Sequence, residues 1–301
     1  MALVVAALLA QPGQVYLPAI QVNQYRWPAA GVAVPGAFRD DLPVLYRADG
    51  SGPPIWFADW WLGCELYSEN GLPYGQGLYR ASYVPMVRRA WDPFALRCND
   101  GRPLLVGNEP ELAGQDNMTP AAMASLLHTA IAQWRGPVWC CGVLVQHTGY
   151  MAQVIAEYRR LYGAWPPSVG VHVHLYVMGP DGSPVISSLS DEDVTRAQAA
   201  LDAFLALLAD NGLLARRVVI SECCVLSNIL TPAQVWSAAR RMLDYAGDNP
   251  AVATVGWYAL RSRGAGLDEF AASDLVTGGE INALGTAWLD YAAGGRVLRG
   301  D

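Results

Sequence analysis

Two glutamates stand in matching surroundings. Glu109 closes the run Leu104-Leu105-Val106-Gly107-Asn108-Glu109, and Glu222 follows Val218-Val219-Ile220-Ser221, so each carboxylate lies at the carboxyl end of a short apolar segment. A single acidic residue there has an ordinary explanation, a charge complementing the next helix N-terminus. Two at equivalent ends have a further one. Paired carboxyl groups can cleave a glycosidic bond, one protonating the departing oxygen while the other attacks the anomeric carbon or activates water. The division of labour needs one group neutral and one ionised, which burial and neighbouring charges set.

Other side chains could serve the same cleft. In Val169–Tyr176 the period-two alternation of a strand puts His172, His174 and Tyr176 on one face and Val171, Val173 and Leu175 on the other. His174 and Tyr176, nearer the carboxyl end, are candidates for orienting Glu222 or touching substrate, and His172 for a buried, satisfied position. The chain has 11 tryptophans and 14 tyrosines, and flat aromatic faces suit the apolar faces of sugar rings. Those at segment ends are the useful ones: Trp60 and Trp61, with Asp59 beside them, and Trp257 and Tyr258. Trp257 is the expected floor under the reacting sugar. Arg88, just after Pro85-Met86-Val87, could hold a carboxylate or a hydroxyl, with a surface arginine the plainer reading.

Composition removes alternatives. All 20 basic residues are arginine, so Schiff-base chemistry, a P-loop lysine and Ser-Lys dyads have no amine to use. Four histidines argue against a histidine-rich metal centre. No G-x-S-x-G elbow and no C-x-x-C spacing occurs. Cys140-Cys141 and Cys223-Cys224 are adjacent pairs whose members should point to opposite faces of a strand, one of each filling core. A formal charge of -7 offers no basic field for a phosphate backbone, and no stretch reaches the roughly 20 apolar residues of a membrane span. The expected partner is an oligosaccharide or polysaccharide, with no metal, no organic cofactor, no nucleic acid and a monomeric state.

Apolar β-rich runs alternate with amphipathic helical stretches, the pattern of an α/β fold with parallel strands. Strands are expected at 55–60, 83–87, 104–107, 138–145, 169–176, 218–221 and 252–260, with a short one at 94–98 needed to reach eight. Helices are expected at 120–134, 151–162, 191–211 and 232–246, two of them opened by Thr119-Pro120 and Thr231-Pro232 as cap and first helical residue. Eight strand–helix units make a single (β/α)8 barrel, whose strand ends all open on one face where distant carboxylates can converge. Residues 54–301 form this catalytic barrel and residues 1–53 an N-terminal extension. Its first ten residues resemble either the apolar end of a clipped leader or an ordinary buried or disordered terminus, so export is favoured over a cytoplasmic place without being fixed.

The triplet Asn108-Glu109-Pro110 and the end Ile220-Ser221-Glu222 resemble the acid/base and nucleophile positions of clan A retaining glycoside hydrolases. Within that clan, Gly107 to Leu112 followed by Gln115, Asn117, Met118, Thr119 and Pro120 is similar to glycoside hydrolase family 128, whose members cleave β-1,3-glucans. The likeness extends to Pro85-Met86, to His174-Leu175-Tyr176 and to the aromatic end of the last strand. Gly107 and Cys223 stand where that family usually has aromatics, and Glu111 where it has aspartate. The resemblance implies a double displacement with Glu109 as acid/base and Glu222 as nucleophile, and Asn108 holding the 2-hydroxyl of the sugar being cleaved. A barrel that binds carbohydrate without turning it over is the alternative.

Overall fold

The structure is a computed structural model describing residues 30–34, 41, 44–45, 55–60, 83–264 and 266–294. Eight parallel strands form one sheet: β1 (Ala30–Ala33), β2 (Ile55–Ala58), β3 (Met86–Val87), β4 (Leu104–Val106), β5 (Val138–Leu144), β6 (Val169–Tyr176), β7 (Val218–Cys224) and β8 (Val252–Tyr258). Their order is β2-β1-β8-β7-β6-β5-β4-β3. A parallel bridge between Phe57 and Tyr83, with Val84 N–H donating to Phe57 O at 2.9 Å, joins the two edges and closes the ring. The fold is a (β/α)8 barrel.

Helices α1 (Pro120–Gln133), α2 (Thr148–Tyr162), α3 (Asp191–Asp210), α4 (Pro232–Asp248) and α5 (Ala283–Ala293) cover the outside. Local chemistry starts three of them, at Pro120, Asp191 and Pro232, where the sequence indicates, whereas Thr148–Tyr162 begins earlier than expected and Ala283–Ala293 is not among those expected. Thr119 accepts from Ala122 N–H ahead of Pro120, and Ser190 and Thr231 form capping boxes with Asp193 and Gln234. None of the described helices is long and apolar enough to cross a membrane.

The strand count is right for a reason the sequence reading missed. The segment 94–98 is not a strand but part of a 3-10 turn, Pro93–Cys98, begun by Asp92 accepting from Phe94 N–H with Pro93 at its first position. The missing strand is Ala30–Ala33, pairing β2 on one side and β8 on the other. The barrel therefore begins inside the segment assigned to an N-terminal extension, and Trp60 follows its second strand, not its first. Residues 1–10 lie outside the described residues. β1 lacks bulk because its neighbour supplies it: a Cβ on Gly31 would lie 2.1 Å from the Trp56 ring. Trp56 and Trp139 fill the lower lumen with Ala58, Val84, Met86, Leu105 and Val219. Gly170 leaves the same room for Trp139.

Above this floor lies a polar layer. His172 Nδ1 is 2.9 Å from Ser221 Oγ and its Nε2 is 3.2 Å from Val106 O. Burial, with His174 nearby, pushes its pKa down to about 3, so the imidazole is a neutral, satisfied core group. The adjacent cysteines depart from expectation: Cys140 is bonded to Cys141 and Cys223 to Cys224, so neither pair splits across the sheet.

Candidate active site

The face at the carboxyl ends of the strands is built by what happens where each strand stops. On β6 the simple alternation holds, and His172, His174 and Tyr176 face inward. On β7 it breaks: the pairing with β8 shifts between Ile220 and Cys223, and that with β6 shifts at Val173/His174. Strict alternation would turn Glu222 outward after the inward Ser221. The irregularity lets both face the lumen, the re-aiming that strand bulges commonly provide.

Glu109 is presented differently. After β4, Gly107 (φ 88°) and Glu109 itself (φ 44°) take the left-handed region, which is costly for a residue with a Cβ. Glu109 is held there by its N–H donating to Gly142 O at 2.8 Å, and by Leu112 N–H and Met118 N–H closing the loop on Glu109 O and Pro110 O. A Cβ on Gly107 would meet Cys141 O at 2.5 Å. That close approach and the positive φ together require glycine at this position. Trp60 (φ 59°) is a second strained residue at the same mouth.

These elements bring two carboxylates together over one imidazole. His174 Nδ1 lies 3.0 Å from Glu109 Oε1 and 3.5 Å from Glu222 Oε2. One ligand-capable atom from each of the three lies within 4.8 Å of the others. Glu222 also accepts from Tyr176 Oη at 2.5 Å and Trp60 Nε1 at 2.6 Å. Burial pushes the Glu222 carboxyl upward and Glu109 adds to this, while His174, Tyr176 and Trp60 favour its charged form. Burial alone would depress His174, but Glu222 and Glu109 outweigh it and lift the imidazole to about 9. At neutral pH the three groups hold their own cation. They are the described residues that could gather around a metal ion, and the imidazolium already occupies the space between the carboxylates.

The aromatic wall differs from the expected one. Trp257 is fully buried on the helix side of β8, its Nε1 donating to Ser273 O at 2.9 Å and its ring 6.4 Å from that of Trp236 on α4. It packs the core and is no sugar platform. Tyr258 takes the inward place, edge-on to Trp60 at 5.6 Å, Tyr176 at 6.1 Å and Phe270 at 5.7 Å. The alternation that places Gly256 inward also places Tyr258 inward, so the signal was present. Asp59 is likewise displaced: it is fully buried and accepts from Tyr83 Oη at 2.9 Å, whose ring packs on Phe57. Trp61 lies outside the described residues.

Asn108, next to Glu109, is buried in a network that sequence reasoning missed. Its N–H donates to Asp116 Oδ2 at 2.8 Å and its Nδ2 to Gln115 Oε1 at 3.2 Å. Arg88 is no free surface arginine. Its Nε donates to Asp116 Oδ1 at 2.7 Å. Glu111 accepts from Leu144 N–H at 2.8 Å and lies 3.2 Å from His147 Nδ1; burial raises its pKa. Buried polar atoms without partners are costly and normally few. Among the described residues, those without one include Asn108 Oδ1, Glu111 Oε2, His174 Nε2 and Gln146 Oε1. Asn108 and Glu111 flank Glu109 closely in the chain and His174 contacts its carboxylate, so three of these atoms belong to residues around Glu109.

No family model and no curated protein sequence matches the chain. Solved structures do. An endo-β-1,3-glucanase of glycoside hydrolase family 128, subgroup II, from Pseudomonas viridiflava aligns with a TM-score of 0.60 at 21% identity, covering 86% of this chain and 96% of that one. A subgroup I endo-β-1,3-glucanase from Amycolatopsis mediterranei, in complex with laminaritriose, aligns with a TM-score of 0.59 at 18% identity over 88% and 99% of the two chains. A subgroup III curdlan-specific exo-β-1,3-glucanase from Blastomyces gilchristii, in complex with glucose, gives 0.55 at 18% identity over 86% and 97%. At these identities the likeness establishes the shared barrel fold.

Proposed function

We propose that this chain is a retaining glycoside hydrolase that cleaves β-1,3-glucan, with Glu109 as acid/base and Glu222 as nucleophile. The observation that carries the reading is the carboxylate pair at the ends of β4 and β7, with oxygens within 4.8 Å of one another. Retaining enzymes hold their carboxyl groups about 5–5.5 Å apart, whereas inverting ones leave about 6.5–9.5 Å for a water. The separation here fits direct attack. Glu222, oriented by Tyr176 and Trp60 and beside the His174 imidazole, attacks the anomeric carbon in its ionised form. Glu109 protonates the departing oxygen, then takes a proton from the water that releases the sugar. The double displacement keeps the β configuration.

Substrate class rests on the structural neighbours, which are β-1,3-glucanases, one of them in complex with laminaritriose. Trp60, Tyr258 and Phe270 supply the flat apolar surface a glucose ring needs. Export and a monomeric state complete the proposal; the disulfides of the described cysteines suit an oxidising compartment.

The test is sugar release from laminarin and curdlan, with the anomer of the first product read by NMR. The expected result is β product, and loss of release by on the order of 1,000-fold or more in Glu109→Gln and Glu222→Gln. Undiminished release in either variant overturns the mechanism. Binding of laminari-oligosaccharides without release in the wild type favours the non-hydrolytic alternative.

A further inference from the structure

Successive side chains of a strand alternate between its two faces, and two bonded sulfurs cannot lie on opposite faces of a sheet. A disulfide between neighbouring cysteines therefore makes a strand lose its alternation at that point. Among the described residues there are two such bonds, Cys140–Cys141 in β5 and Cys223–Cys224 in β7, all four residues buried in the layer between strands and helices.

Both bonds sit where a strand changes phase. In β5, Trp139 belongs to the lower lumen and Leu144 to the mouth, although strict alternation would place residues five apart on opposite faces. The pairing with β6 jumps from Cys141 to Val143. In β7, Val219 lies in the lower lumen and Ser221 meets His172, so strict alternation would send Glu222 out and Cys223 in. Bonded to Cys224, Cys223 stays on the helix side, and Glu222 before it faces inward. The pairing records the extra residue: Ile220 and Cys223 on β7 oppose Val255 and Trp257 on β8.

Each shift serves one carboxylate. Gly142, directly after Cys141, offers the carbonyl that accepts the Glu109 N–H at 2.8 Å, and the Cys141 carbonyl fills the space beside Gly107. Cys223 directly follows Glu222. Cys224 O accepts from Val177 N–H at 2.8 Å, next to Tyr176, whose hydroxyl donates to Glu222. Resting on the hydrolase reading above, we propose that the two disulfides are positioning elements, Cys140–Cys141 for the acid/base Glu109 and Cys223–Cys224 for the nucleophile Glu222.

The test compares kcat/KM for laminari-oligosaccharides and for an aryl β-laminaribioside whose acidic phenol departs without being protonated. Misplacing a reacting group costs on the order of 100-fold. Cys223→Ala, Cys224→Ala and the double variant should show that loss equally on both substrates, because any one of them breaks the bond. Cys140→Ala, Cys141→Ala and their double should show it on the oligosaccharide and lose less than about 10-fold on the aryl substrate. Losses that add from single to double variant, as independent core fillers give, overturn the proposal. So does a loss in folded Cys140→Ala that is equal on both substrates. The wild type supplies a check that stands if a variant fails to fold: unfolded without reductant, active enzyme should leave all four cysteines unalkylated. Alkylation of either pair in active protein overturns the proposal. A wild type that releases no sugar overturns the hydrolase reading instead. Positioning is then read from the His174 Nδ1 proton, which lies beside both carboxylates. Its NMR resonance should move in Cys141→Ala and in Cys223→Ala, and an unmoved signal in either folded variant overturns the proposal.

Discussion

Replacing His174 by glutamine removes the cation between Glu109 and Glu222, and the structure sets the size of the effect. Burial by itself would lower the imidazole pKa, yet the two carboxylates lift it from 6.5 to about 9. Their combined attraction therefore exceeds ~2.5 pH units, or about 3 kcal/mol. Coulomb's law is consistent with that lower bound: at 3.0 and 3.5 Å each pair of unit charges interacts by about 5 kcal/mol at an effective dielectric near 20, before the opposing cost of burial. The coupling is reciprocal, so losing the imidazolium removes an interaction that favours the charged form of Glu222 and raises that carboxyl further. The acid limb of the kcat/KM profile on a laminari-oligosaccharide should move up by about 1–2 pH units in His174→Gln. Stability supplies a second reading. A folded pKa above the unfolded value means that the contribution of His174 is complete below about pH 6.5 and is lost as pH rises through about 9. The stability gap between wild type and variant in urea should close over that interval. An acid limb that does not move in a folded variant would refute the reasoning, because the imidazole would then carry no charge between the carboxylates.

Tyr176→Phe removes a 2.5 Å hydrogen bond to Glu222. Bonds to charged groups contribute about 1.5–3 kcal/mol, so kcat should fall roughly 10- to 100-fold with little change in KM. Trp257→Leu and Tyr258→Leu should separate core from cleft. The first should lower stability by about 3 kcal/mol or more in urea unfolding and leave KM alone, and the second should raise KM for laminari-oligosaccharides. His172 titrates in the opposite sense from His174: its folded pKa of about 3 lies below 6.5, so its contribution is present above pH 6.5 and is lost as pH falls towards 3. In His172→Asn the stability curve should be flatter over that acid range, as followed by circular dichroism.

Much of the architecture is legible in the chain. The apolar runs of β4 to β8 and the caps at Thr119, Ser190 and Thr231 act through neighbours in sequence, so hydrophobic period and turn chemistry reveal them. The same local logic identifies Glu109 and Glu222, because a carboxylate that ends an apolar strand shows its position without reference to anything distant. β1 escapes because its small residues answer to Trp56 on the adjacent strand. No local signal records the bulk that a neighbour provides.

What only tertiary structure decides is which way a side chain is aimed and what it meets. A pairing shift on β7 turns Glu222 inward, and positive φ at Glu109 lifts the other carboxylate to meet it. His174 acquires its charge only because two acidic groups from other strands converge on it. Arg88 and Gln115 meet Asn108 only across a folded loop. The sequence alone therefore determined the barrel and the two carboxylates, since hydrophobic pattern and residue type are local properties. Their separation, their charges and the wall around them belong to the fold, because electrostatic coupling and close packing depend on distances between residues that the chain itself keeps far apart.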